Sequence, residues 1–281
     1  YSVPFTTNRK YNMKKHFGLA VLLLLLGLSA IRSMEPAPAA KGSDDNAVHV
    51  YIIYDNYQAD QKLETDWGFA CLIEYQGNKI LFDAGRKADL YKKNVSLLDI
   101  HPEEIPTLFI SHEHGDHTAG IPWIVESNPS VTCYLPASYA EQLKASGNLP
   151  LNSKAIKKPG HLYGPYYSTG DDFMAFREQG LVIKTENGGV LITGCGHPGA
   201  IPMVEIAENE LGIKIHTVIG GLHLMRQADE ELEKLAATLK EMGIKHICPT
   251  HCTGDKSIAS LKSSFEEGYI SGGTGKEIII Q

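Results

Sequence analysis

Three imidazoles and one carboxylate fall within six residues at His112-x-His114-x-Asp116-His117. Residues i and i+2 of an extended segment project to one side, so His112 and His114 can share one metal ion, while Asp116 and His117, on the turn that follows, can face a second. Nitrogen and carboxylate donors without a thiolate suit Zn²⁺, with Fe or Mn also open. Four donors from one loop cannot close two coordination spheres, so further histidines are expected at other strand ends. His197 stands in Thr193-Gly194-Cys195-Gly196-His197-Pro198-Gly199, His223 in Gly220-Gly221-Leu222-His223-Leu224, and His251 in Pro249-Thr250-His251-Cys252-Thr253-Gly254. Each follows an apolar run, and the nearby glycines permit close backbone approach. His16, His49, His101, His161, His216 and His246 lack this context; His161, in a tyrosine-rich stretch, is a candidate substrate contact.

The elements that must position these residues are legible as short apolar runs divided by turn signals. Strands are expected at 48–54, 68–75, 79–82, 107–110, 131–135, 181–185, 190–193, 214–219, 246–248 and 277–280. Helices are expected at 87–94, 121–126, 138–144, 200–211, 229–242 and 257–265. The cluster at 112–117 therefore lies in a strand-to-helix loop. Residues 147–172 show no periodicity and carry Pro150, Pro159, Gly160, Gly164, Pro165 and Gly170, which predicts one long loop. Its tyrosines Tyr163, Tyr166 and Tyr167 are candidates to cover a substrate. Strands followed by helices recur in both halves with no linker between, so residues 47–281 are expected to form one α/β domain.

Composition excludes other classes. A net charge of -7 with no basic run argues against a nucleic-acid partner. Five cysteines without CxxC spacing make no disulfide framework; Cys195 and Cys252, each within two residues of a nominated ligand, read as small buried residues, with a disulfide between them or a thiolate ligand as the alternatives. Lys14 and Lys15 precede an apolar run from Phe17 to Ala30 and then Ala37, Ala39 and Ala40. The run has the length of a signal-peptide core, so residues 13–40 are expected to be a cleaved signal and the mature protein to be exported, periplasmic or extracellular, with no membrane attachment. Residues 1–12 precede Met13, the natural start, and form an upstream extension of unclear status.

The segment from Ser111 to His117 resembles the His-x-His-x-Asp-His signature of the metallo-β-lactamase superfamily, and Leu81-Phe82-Asp83-Ala84-Gly85 resembles its earlier Asp-x-Gly segment. His197 and His251 follow in the order of its later ligands. Asp66-Trp67-Gly68-Phe69-Ala70 and the glycine-flanked segments around His197, His223 and His251 are similar to the branch named for a dihydropterin-ribofuranosylaminobenzene phosphate synthase. The resemblance covers about residues 48–281 and implies an αββα four-layer sandwich. It implies His112, His114 and His197 on one metal and Asp116, His117 and His251 on the other, with Asp83 orienting a ligand histidine by hydrogen bond. Many members carry an aspartate between the last two histidine motifs, where this chain has only Asp229 inside a predicted helix. His223 stands near that place, so either it completes the second site or it serves substrate beside one tightly bound metal.

Bound zinc lowers the pKa of its water from about 16 to near 7. The expected activity is therefore hydrolysis of a small-molecule ester, lactone, amide or phosphoester by metal-bound hydroxide, with Asp116 orienting the nucleophile and shuttling its proton. The alternative is a transferase resembling the synthase of the branch name; phosphorylated pterins are cytosolic, which sets it against export. A flavodiiron-type redox protein is disfavoured because that group has glutamate where His114 stands, and an RNA-processing nuclease is disfavoured by acidity and export.

Overall fold

The computed structural model describes residues 46–173 and 176–281, so the expected extension at 1–12 and signal at 13–40 lie outside the described residues. In chain order the strands are β1 (Val48–Tyr54), β2 (Ala70–Tyr75), β3 (Asn78–Phe82), β4 (Thr107–Phe109), β5 (Thr132–Pro136), β6 (Ser153–Ile156), β7 (Gly160–Tyr163), β8 (Tyr166–Ser168), β9 (Leu181–Thr185), β10 (Gly188–Thr193), β11 (Ile215–Gly221), β12 (His246–Thr250) and β13 (Glu277–Ile280). The helices are α1 (Ala88–Leu97), the single turn α2 (Gly115–Thr118), α3 (Ile121–Ser127), α4 (Ala137–Ala145), α5 (Ala200–Asn209), α6 (Asp229–Glu241) and α7 (Asp255–Phe265). Among the described residues no helix is long and apolar enough to cross a membrane.

Period-two alternation assigns each strand face to a layer. In β1, Val48, Val50 and Ile52 meet Leu181 and Ile183 of β9 and Val190 and Ile192 of β10 in a core between two sheets. The other face of β1 presents Ile53 to Tyr91 and Val95 of α1, Ile124 of α3 and Ala140 of α4. On the far side, Val182 and Leu191 pack with Met203 and Val204 of α5, Leu232 and Leu239 of α6, and Leu261 of α7. Each fully buried Leu, Ile or Val contributes roughly 1.5–3 kcal/mol, so three continuous cores fix four layers, helix, sheet, sheet and helix. This is the αββα sandwich expected from the sequence.

The first sheet runs β13-β1-β2-β3-β4-β5-β6 and the second β12-β11-β10-β9-β8-β7. β3 to β6 pair in parallel, as do β10, β11 and β12. β2 is antiparallel to both β1 and β3, so β1 shares the direction of β3. The C-terminal ends of β1, β3 and β4 thus emerge together, where ligand sites of α/β sheets form.

The expected loop at 147–172 is instead three short strands. β6 adds in parallel to β5, and β7 and β8 form a hairpin on β9. Its tyrosines are structural. Tyr166 is fully buried between the sheets, Tyr163 donates to Thr107 Oγ1 at 2.9 Å, and Tyr167 packs toward the outer helices. His161 is held within the hairpin, its Nε2 2.9 Å from the Gly164 carbonyl and its ring against Tyr167.

Candidate metal centre

β3 ends at Phe82, and Asp83 follows in the left-handed region at φ 55°, completely buried. Its two oxygens organise the next strand end. Ser111 donates its backbone N–H to Oδ1 and its hydroxyl to Oδ2, each at 2.7 Å. With its proton so committed, the Ser111 oxygen accepts from His112 Nδ1–H at 2.9 Å. His117 Nδ1–H donates to Asp83 Oδ2 at 2.7 Å. One carboxylate therefore leaves two imidazoles with Nε2 lone pairs facing inward. Gly194 makes this approach possible, because a Cβ there would fall on the Ser111 hydroxyl and 2.9 Å from Asp83 Oδ2.

His251, after β12, is treated alike by another strand end. Its Nδ1–H donates to Asn56 Oδ1 at 2.9 Å, and Asn56 Nδ2 returns a bond to the His251 carbonyl. The neighbouring Asp55 accepts the backbone N–H groups of Tyr57 and His251 and the Thr250 hydroxyl. Burial pushes the Asp55 carboxyl up to about 6 against those donors. Trp67 covers the His251 ring at 5.0 Å between centroids.

The donors collect in two groups. His112 Nε2 lies 2.9 Å from His114 Nδ1, which lies 3.3 Å from His197 Nε2. Asp116 Oδ2 lies 3.7 Å from His117 Nε2 and 3.5 Å from His251 Nε2. The two groups adjoin, the His112 and His117 ring centroids being 4.2 Å apart. All six residues that the sequence nominated are thus brought into these two adjoining groups. His223 is not with the Asp116 group: it is exposed, at φ 52°, with its ring 4.4 Å from that of His197 and a ring nitrogen within 4.8 Å of the Cys195 and Cys252 sulfurs. Phe176 stacks on the other neighbour of this rim, 6.0 Å from His197.

Charge follows geometry. Burial, and then the neighbouring imidazoles, hold His112 far below the usual histidine range. Burial and the charges of His223 and His114 take His197 down to about 4. His117 goes the other way, burial opposing its charge and the Asp83 carboxylate outweighing burial. Partial burial opposes ionisation of Asp116, but the His251 hydrogen bond and the His117 charge outweigh it and hold its carboxyl well below the carboxylate range. A concentration of imidazole lone pairs around an ionised carboxylate, with His114 and His223 exposed beside it, suits a divalent cation.

Residues 68–251 match the sequence pattern described as the metallo-beta-lactamase superfamily. The chain belongs to that superfamily. The 7,8-dihydropterin-6-methyl-4-(beta-D-ribofuranosyl)-aminobenzene-5'-phosphate synthase of Methanocaldococcus jannaschii is 28% identical over 279 residues, covering 81% of this chain and 95% of the relative. An uncharacterized protein of the same organism is 28% identical, covering 82% of this chain and 99% of its own. Among solved structures, Tm1679, described as a metal-dependent hydrolase of the beta-lactamase superfamily, superposes with a TM-score of 0.69 at 23% identity, over 82% of this chain and 98% of that one. The superfamily is one of enzymes, and its fold is suited to divalent metal.

Two features of the centre, Glu178 and Asn56, were missed from sequence. Glu178, fully buried just before β9, accepts Gly194, Cys195 and Gly196 N–H at Oε1 and His197 N–H at Oε2, all at 2.8–3.1 Å. It is the frame of the His197 loop. Burial pushes its carboxyl up to about 7, the backbone donors opposing. Asn56, at the end of β1, orients His251, and a search of strand ends for polar residues would have found it. Cys195 and Cys252 are buried free thiols, as expected, but the Cys195 sulfur also faces the histidine nitrogens, with Sγ 3.3 Å from His117 Nε2 and 3.5 Å from His251 Nε2.

Proposed function

We propose that this chain is a metal-dependent hydrolase acting on a small-molecule ester, lactone, amide or phosphoester. The observation that carries the reading is the shared anchoring by Asp83: through Ser111 and directly, it fixes His112 and His117 with Nε2 free, one in each donor group. His112, His114 and His197 would hold one cation and Asp116, His117 and His251 a second; the donor set favours Zn²⁺ over Fe or Mn. Bound there, such cations supply Lewis acidity and make coordinated water a nucleophile near neutral pH.

The side chains divide the remaining work. Asp116 keeps 18% of its side chain exposed while His117 and His251 keep none, so the carboxylate is the member of its group that meets entering water. It orients that water and accepts its proton as the bond to carbonyl carbon or phosphorus forms; the bond to the leaving oxygen or nitrogen breaks, and the proton passes to the leaving atom. His223, on the exposed rim beside His197, contacts substrate. We further propose that residues 13–40 are a cleaved export signal and that the partner is a small molecule, with no nucleic acid or membrane bound.

The test is elemental analysis of the purified protein together with turnover of a panel of esters, lactones, β-lactams and phosphodiesters. Bound zinc with hydrolysis that is lost in His112→Ala supports the reading; zinc-loaded protein inert to the whole panel overturns it. The similarity to the methanopterin synthase supports a second reading, group transfer onto a ribofuranosylaminobenzene phosphate. Release of diphosphate from a pterin substrate by the loaded protein, with the N-terminus intact in the cytoplasm, would establish that reading instead.

A further inference from the structure

Asp116 Oδ2, His117 Nε2 and His251 Nε2 make three donors, and a structural or catalytic zinc takes four ligands. His223 lies beside His197 instead, on the exposed rim. The group nearest the gap is the Cys195 thiol. Zn–S of about 2.3 Å and Zn–N of about 2.0–2.1 Å at a tetrahedral angle put sulfur and nitrogen about 3.5 Å apart and two light donors about 3.4 Å apart. Cys195 Sγ lies 3.3 and 3.5 Å from the two imidazole nitrogens, and Asp116 Oδ2 lies 3.7 and 3.5 Å from the same two. Four edges of one tetrahedron are therefore already drawn, within a few tenths of an ångström.

Hydrogen bonding alone leaves this arrangement incomplete. With Nδ1 of His117 and of His251 committed to Asp83 and Asn56, a ring neutral at either position offers only its Nε2 lone pair to the sulfur. The thiol has one proton, and two nitrogens stand ready to accept it. A cation answers the sulfur and both nitrogens at once. The sulfur is also held in place for the purpose. Its backbone N–H is fixed at 2.9 Å by Glu178, it is 4% exposed, and Gly221 lacks the Cβ that would press Cys252 Sγ at 2.8 Å and the Cys195 Cα at 3.1 Å.

Cys195 also belongs to three compact sets of histidine and cysteine donors among the described residues: with His112 and His197, with His117 and His251, and with His223 and Cys252, each set within 4.8 Å. We propose that Cys195 is a metal ligand, its thiolate completing the Asp116–His117–His251 site and bridging to the His112–His197 side, in the role the absent aspartate would fill. Binding exchanges a proton for the cation: the S–H bond breaks, the sulfur–metal bond forms, the proton leaves to solvent, and no oxidation state changes. The proposal rests on the metal reading above.

Cobalt separates the two. Metal-free protein titrated with Co²⁺ is expected to develop visible d–d bands and, with them, a thiolate-to-cobalt charge-transfer band in the near ultraviolet. Cys195→Ser is expected to lose the ultraviolet band while still binding cobalt through the His112 group, and Cys252→Ser is expected to keep it. Cobalt bound without a charge-transfer band, or a band that survives in Cys195→Ser or vanishes in Cys252→Ser, overturns the thiolate role and leaves the hydrolase reading standing. No cobalt or zinc bound at all overturns the metal reading itself. X-ray absorption of the zinc-loaded wild type needs no variant: a sulfur shell is expected, and a shell of nitrogen and oxygen only overturns the proposal.

Discussion

Asp83 and Ser111 are joined twice, through the serine N–H and through its hydroxyl, both at 2.7 Å. The pairing ties the end of β3 to the end of β4 and passes the carboxylate's orienting effect on to His112, while the same carboxylate holds His117. Asp83→Ala frees both rings to rotate and to protonate at Nε2. Loss of an outer hydrogen-bond partner of this kind costs 10–100-fold in metal affinity, and two ligands are affected here, so the upper end is expected. Competition with a chromogenic chelator measures it. Ser111→Ala, touching only the His112 branch, is expected to cost less.

Removing the Glu178 side chain leaves four buried N–H groups of the 194–197 loop without acceptors. Each unsatisfied buried donor costs about 1–3 kcal/mol, and relaxation of the loop recovers part of the sum. Glu178→Ala is expected to lower unfolding stability by about 3 kcal/mol in urea melts. Glu178→Gln keeps the oxygen but sets an amide N–H₂ against His197 N–H, so a smaller loss is expected.

Variants of His251 and His223 are expected to differ in metal content. His251→Ala removes a nitrogen fixed between Asn56 and Asp116 and is expected to release one zinc equivalent. His223→Ala, altering an exposed ring that neighbours His197, is expected to retain the zinc and to raise KM. Elemental mass spectrometry beside initial rates distinguishes these outcomes.

Acid is expected to weaken the metal-free protein through His197. In the folded chain this ring takes its proton only near pH 4, because of burial and the charges of His223 and His114; unfolded, it does so near pH 6.5. Between those values the unfolded chain holds the extra proton, so stability is retained above pH 6.5 and declines as pH falls toward 4. His197→Gln is expected to flatten that slope in urea melts run across the window, and the wild-type ring is expected to show an NMR midpoint near 4.

Zinc is expected to raise the melting temperature with the logarithm of its free concentration, by the equivalent of about 2.7 kcal/mol at a hundredfold excess over Kd. Chelator is expected to reverse the shift, which differential scanning calorimetry reads directly.

The αββα layers were legible because alternation along β1, β9 and β10 assigns each apolar residue to a face, and the histidines were legible because they stand at the ends of those strands. Residues 147–172 were not. β6 and β7 are edge strands, four residues each, broken by proline and glycine, and their pairing with longer neighbours supplies what local pattern lacks. Glu178 carried no motif, since its partners are main-chain N–H groups 16–19 residues onward, and a backbone partner leaves no mark in side-chain spacing. Asn56 was within reach: the strand-end rule that found the histidines applies equally to β1.

The candidate donors come from both sheets, His112 to His117 from the first and Cys195, His197 and His251 from the second. During synthesis the earlier cluster leaves the ribosome with no counterpart, and the site closes only when His251 has emerged, 134 residues after His117. The strand that pairs with β1 at the rim of the first sheet, β13, is made later still. A cation held by all of these residues would act as a checkpoint on assembly. It would reward only a chain whose two halves have already closed on one another, and a truncated product lacking His251 would forfeit that reward.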